Sequence, residues 1–269
     1  MQLIKIFLYI LPSILTNSLL QSSVKKSTVL VCYGKVKPES IKGYTYVILE
    51  SLNYSSQQIK TIKAQNSKVF AYISLGEVNI HAPHYKILKS NTIGKNENWD
   101  SYYLNLKSNK TQETLLNIVD KTLSKGFDGL FLDNIDNFTI YGPQKEQKKD
   151  LINLLKKIKE VYPKKEFLQN AGLDLVPETL PYINAIVVES VASDYVFKDK
   201  SYNLRKSEDH NSRITRLKSI SENSKIPIIL IEYADSKKLY SQITERVESS
   251  KFEYFIGNID LQSIPKFKE

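Results

Sequence analysis

The chain has 269 residues, 41% of them hydrophobic and 25% charged, which are ordinary globular proportions; they exclude a disordered or collagen-like chain and allow one large domain or two small ones. One cysteine, Cys32, excludes an intrachain disulfide framework and reads as a small buried hydrophobe, so stability rests on the core. The net charge of +9 comes from lysines spread along the chain, dense over residues 144–165; with no nucleic-acid motif beside them they read as solvated helix faces, and no nucleic-acid partner is expected.

Residues 1–5 are basic, and residues 6–15 form an apolar run interrupted by Pro12. That run is too short to span a bilayer and has the layout of a secretory signal peptide. Residues 1–23 are assigned to it, with the cut near residues 18–25 because no small-x-small site marks it. Residues 24–269 then form one mature domain, expected to be monomeric, secreted or extracytoplasmic, and without stable membrane insertion once the signal is gone. An uncleaved N-terminal anchor is the alternative.

Eight short apolar runs follow, at residues 28–36, 44–50, 68–77, 126–136, 166–170, 185–190, 226–233 and 252–260. Each suits a strand buried on both faces, as in a parallel sheet. Helical stripes alternate with most of them. Ile59 and Ile62 mark one stripe, and Leu115, Leu116, Val119 and Leu123 mark a second, opened by Asn109 and stopped by Gly126. Leu151, Leu154, Leu155, Ile158 and Val161 mark the clearest, ended by Pro163. Two more carry Ile214, Leu217 and Ile220, and Leu239, Ile243 and Val247. Eight strands alternating with helices over about 250 residues predict a single α/β domain, a (β/α)8 TIM barrel. Its first helix is short or absent, and its last is truncated or irregular. Residues 78–110 lack periodicity but carry Trp99, Tyr102 and Tyr103, and a connection that long is usually functional.

A strand's side chains alternate with period two. Taken that way, Glu50, Glu77, Asp133, Glu189, Glu232 and Asp260 share the side of their strands' interior residues, and the fifth strand ends in Asn170. Capping explains one or two such acids, not six. In a TIM barrel they form an acidic ring at the C-terminal mouth, where the active site lies. Carboxylates without histidine or cysteine point to glycoside hydrolysis, and their mutual repulsion supplies the raised pKa that a general acid needs. The competing readings are a metal-dependent hydrolase using the ring and a non-catalytic carbohydrate-binding barrel. His81-x-x-His84 is a weak ligand pair, phosphate-cradle and nucleophile-elbow motifs are absent, and no metal or cofactor is assigned. Trp99, Tyr102, Tyr103 and Tyr233 are candidates to stack on sugar rings, and Glu50, Glu77 and Glu232 to bind amino or hydroxyl groups.

The segments AYISLGE (71–77), Trp99 with Tyr102 and Tyr103, GFDGLFLDNID (126–136), QNAG (169–172) and VVES (187–190) resemble, in order and spacing, glycoside hydrolase family 114. Those are secreted TIM-barrel proteins similar to endo-α-1,4-polygalactosaminidase. The resemblance covers most of the mature chain. It implies a glycosidase cleaving α-1,4 linkages inside a galactosamine-containing polysaccharide, with Asp133 and Glu189 as catalytic carboxylates and a retaining outcome. Glu189 is assigned as nucleophile or base and Asp133 as acid or its partner. Asp136 and Asn170, inside those motifs, join the substrate-binding candidates, as do Asp260 and, loosely, Asp194 on the loop after the sixth strand. The first strand departs, reading VCYGK where such members often carry Trp-Gln. Asp133 and Glu189 end strands two places apart on the rim, with backbones about 10 Å apart and side chains leaning inward; because the resemblance implies retention, their carboxyl groups are expected in the retaining class of about 5–5.5 Å or at its upper edge.

Overall fold

The computed structural model describes residues 27–267; the expected signal peptide lies outside them. The eight runs form eight parallel strands: β1 (Val29–Cys32), β2 (Tyr46–Leu49), β3 (Lys68–Ser74), β4 (Gly129–Asp133), β5 (Glu166–Asn170), β6 (Ala185–Glu189), β7 (Ile228–Tyr233) and β8 (Glu253–Gly257). Each pairs with the next in a single eight-stranded sheet. At the last seam, Ser27 Oγ reaches the Tyr254 carbonyl and Thr28 Oγ1 the Glu253 carboxylate. This is the expected (β/α)8 barrel.

Five longer helices lie in the connections: α1 (Ser56–Lys63), α2 (Asn109–Leu123), α3 (Lys148–Val161), α4 (Ser207–Ser224) and α5 (Lys237–Glu248). The first connection holds only a 3-10 turn at Pro38–Ser40, in keeping with the expectation that the first helix is short or absent. A capping box, Ser55 with Gln58, starts α1 and satisfies two otherwise orphaned N–H groups. Helix α3 buries Leu151, Leu154, Leu155 and Ile158, but Val161, expected on that stripe, is exposed. It is the last helical residue, where the turn leaves the barrel.

The long connection that lacks periodicity has structure, and so does the one after β6. Residues 77–104 contain a three-stranded antiparallel sheet, Glu77–Asn79, Thr92–Asn96 and Ser101–Leu104. Residues 191–210 contain a hairpin, Ser193–Val196 with Ser201–Leu204. Both insertions leave the barrel at the C-terminal ends of strands, after β3 and β6.

The core divides by strand parity. Tyr46 stacks on Phe70 and Tyr72 on Phe131, with centroids 6.1 Å apart in each pair, and these rings fill the lumen with Val187, Ile229, Ile231 and Phe255. The opposite parity of the later strands, Ile186, Val188, Ile228, Leu230 and Ile256, packs outward on Ile214, Leu217, Leu239, Ile243 and Val247 of α4 and α5. The expected acidic ring is corrected accordingly. The inward parity of β3 is Phe70, Tyr72 and Ser74, and that of β7 ends in Tyr233, not Glu232. Parallel strands are apolar on both faces, so alternation alone does not tell inside from outside.

Candidate active site

At the C-terminal ends of the strands lies a cleft of about 630 Å³. Its floor comes from three consecutive strand ends: Asp133 on β4, Asn170 on β5 and Glu189 on β6. In each case the next residue, Asn134, Ala171 or Ser190, has a positive φ, of 61°, 58° and 55°. None is glycine, so each left-handed turn costs on the order of 1–3 kcal/mol. The residue before each turn lines the cleft, as do Asn134 and Ala171 themselves. Gly129 meets the need for close approach in β4: a Cβ there would stand 1.7 Å from the Glu166 carbonyl oxygen of β5.

Asn170 Nδ2 donates to Asp133 Oδ1 at 2.8 Å and to Glu189 Oε1 at 2.7 Å. Those two oxygens therefore lie no more than 5.5 Å apart. Tyr72 donates to Asp133 Oδ2 at 2.9 Å, and Tyr233 donates to Glu189 Oε2. Burial raises Asp133 above the usual carboxylate range, opposed by bonds from Asn170, the Asn134 backbone and Tyr72. Glu189 is pushed further, to about 7, first by burial and then by the charge of Asp133. At that value Glu189 is protonated in about half of the molecules at neutral pH and in most of them below it.

Around this pair the cleft is lined by Glu50, Glu77, Trp99, Asp136, Tyr233 and Asp260. Burial raises the pKa of Glu50, and burial with Asp133 raises that of Asp136. Glu77 belongs to the inserted sheet and not to β3. It reaches the cleft because Asn137 Nδ2 at 2.9 Å, Asn96 Nδ2 and Ser101 Oγ hold its carboxylate there.

Four expected residues stand elsewhere. Tyr102 packs on Tyr85 at 5.7 Å, and Tyr103 packs against Gly94. Asp194 pairs with Arg205 at 3.0 Å. Glu232 is fully buried and turned away from the lumen. It accepts from the backbone N–H groups of Val191, Ala192 and Ser193 and from Ser193 Oγ, at 2.6–3.0 Å. All of its acceptor directions anchor the hairpin after β6. Conversely, sequence reasoning missed Tyr33 and Tyr72, which line the cleft beside the carboxylates. Their signal was the inward parity of β1 and β3.

His210 is buried, with Nδ1 3.1 Å from the Val191 carbonyl oxygen. Among the described residues no cluster of three or more His, Cys, Asp or Glu is placed to hold a metal ion. No helix among them is long and apolar enough to cross a membrane.

Comparison with known proteins adds the following. The model of glycoside-hydrolase family GH114 matches residues 18–268. An uncharacterized protein of Methanocaldococcus jannaschii is 23% identical over 220 residues, which is 74% of this chain and 61% of that relative. The chain thus spans less than two thirds of that relative's length. The glycoside hydrolase domain of PelA from Pseudomonas aeruginosa superimposes with a TM-score of 0.77 at 22% identity, over 89% of this chain and 98% of that one. Aspergillus fumigatus Ega3, solved in complex with galactosamine, does so with a TM-score of 0.71 at 15% identity, over 90% and 95%. At these identities the two structures bear out the barrel.

Proposed function

The chain belongs to glycoside hydrolase family GH114, and from that premise we propose that it cleaves α-1,4 linkages inside a galactosamine-containing polysaccharide, with Asp133 as nucleophile and Glu189 as general acid and base. This reverses the roles assigned from the sequence, because the two environments separate the carboxyls. Asp133 accepts three stabilising bonds and is the easier to ionise; Glu189 keeps its proton to about pH 7. Asp133 attacks the anomeric carbon as the bond to the leaving oxygen breaks, and Glu189 gives that oxygen its proton. Glu189 then removes a proton from water, whose oxygen attacks the same carbon and releases Asp133. The observation that carries this reading is Asn170 bound to both carboxylates, which holds them within the short separation of retaining enzymes.

The acids lining the cleft, Glu50, Glu77, Asp136 and Asp260, suit a sugar with a free ammonium group. The overall charge of +9 opposes such a substrate only weakly, because exposed charges beyond about 8–10 Å are screened. The basic and apolar N-terminus supports secretion to where such polymers lie. The test is release of reducing ends from partly deacetylated α-1,4-galactosaminan. Activity is expected from the wild type and not from Asp133→Asn or Glu189→Gln. Binding of the polymer without turnover at any pH would leave a carbohydrate-binding barrel instead.

A further inference from the structure

The two insertions meet. Trp99, at the tip of the inserted sheet, and Phe197, at the turn of the hairpin, are 48% and 40% exposed. Their rings pack edge to face, with centroids 5.3 Å apart and planes at 85°. Tyr195 packs on Phe197 at 5.1 Å and 90°, and Tyr202 packs on Tyr195 at 4.9 Å. An aromatic row therefore runs from the hairpin to Trp99, which lines the cleft. The insertions leave after β3 and β6, three places apart in the strand order, so a bridge between them crosses the mouth.

Both ends of the bridge are fixed. The Trp99 carbonyl accepts from Asn79 Nδ2 at 2.9 Å, and Lys95 pairs with Glu97 at 2.7 Å and Asp100 at 3.2 Å. Glu232 holds the foot of the hairpin. Large rings that stay half in water on two separate loops, yet pack together, form a surface that awaits a cover. In an edge-to-face pair one ring offers its edge and keeps a face free. A hexopyranose is a fitting cover, since its axial C–H groups form an apolar face that an aromatic ring can take.

We propose that Phe197 is a positioning residue that holds the Trp99 ring as a sugar-stacking subsite at the mouth of the cleft, taking a hexopyranose unit of the polymer away from the Asp133–Asn170–Glu189 floor. The identity of the polymer rests on the galactosaminan reading above; the aromatic subsite does not. Trp99 is the chain's only tryptophan, so emission excited at the red edge of absorption, where tyrosine does not absorb, reports this ring alone. The experiment titrates partly deacetylated α-1,4-galactosaminan oligosaccharides into wild type, Phe197→Ala and Phe197→Tyr, reading emission, and measures KM and kcat on the polymer in parallel.

The expected result is a saturable emission change in the wild type. In Phe197→Ala half-saturation and KM rise about two- to tenfold, the range an aromatic pair is worth, with kcat changing less, and Phe197→Tyr restores both. Identical titrations of wild type and Phe197→Ala overturn the proposal, as does a wild type that cleaves the polymer with no emission response. An emission response without released reducing ends upholds the subsite and removes the hydrolytic reading. Neither response nor cleavage overturns both.

Discussion

Glu189 and Glu232 stand on adjacent strands, β6 and β7, one residue apart in register, since Glu189 lies opposite Ile231. Burial raises the pKa of each. Glu232 points outward and its four acceptor contacts go to one stretch of chain, Val191 to Ser193. Glu189 points inward and takes its bonds from two side chains, Asn170 and Tyr233, with a second carboxylate beside it. Burial and a raised pKa thus do not mark a reactive acid. What separates the two is whether the donors leave the carboxyl facing a cleft, and one step of strand parity decides that.

The comparison predicts different failures. Asp133→Asn, on the inward side, is expected to lower kcat by about 10⁴-fold or more with the fold intact by circular dichroism, because the covalent step is lost. Glu189→Gln is expected to cost about 10²–10⁴-fold, the worth of general acid–base catalysis. Wild-type activity should fall as pH rises through about 7, when Glu189 loses the proton it must donate; the variant's residual activity should lack that limb. If that limb stays, Glu189 is not the acid.

Glu232→Ala should behave in the opposite way. Three backbone N–H groups and one hydroxyl lose their acceptor, which is expected to cost about 3 kcal/mol in denaturant unfolding. The kcat of the folded fraction should change far less than in Glu189→Gln. A catalytic loss as deep as that of Glu189→Gln, with stability unchanged, would erase the distinction between the two acids.

The smallest effect sharpens the comparison. A carboxyl whose folded pKa is raised contributes stability below its unfolded pKa and loses it as pH rises through the folded one. For Glu189 that window runs from 4.5 to about 7. The wild type should therefore lose about 1–3 kcal/mol across it that Glu189→Gln does not lose. Equal pH dependence of unfolding in the two proteins would show that Glu189 ionises normally.

The barrel was legible because each strand is a short apolar run closed by polar residues, and because α3 and α5 keep their stripes. The segment 126–136 announced Asp133, since a glycine behind and an acid ahead bracket a buried run. Parity was not legible in Ile228–Tyr233, where all six residues are buried and period two has no contrast to show. That is why Glu232 was placed in the mouth; Tyr72 was missed because Glu77, which belongs to the inserted sheet, was counted into the strand Lys68–Ser74 and set its parity. The inserted sheet was hidden for the opposite reason. The strand Thr92–Asn96 is largely exposed, so no apolar alternation marks it. Asn170 was legible as a strand end, but its contact with both carboxylates depends on β4, β5 and β6 lying side by side, which no local pattern encodes.

The roles of Asp133 as nucleophile and Glu189 as acid are tested most directly by trapping the protein with a fluorinated α-galactosaminyl fluoride, which slows release of a covalent intermediate, and mapping the adduct by mass spectrometry of peptides. The account predicts one adduct, on Asp133. An adduct on Glu189, or no adduct from a protein that turns the reagent over with inversion at the anomeric carbon, would contradict it.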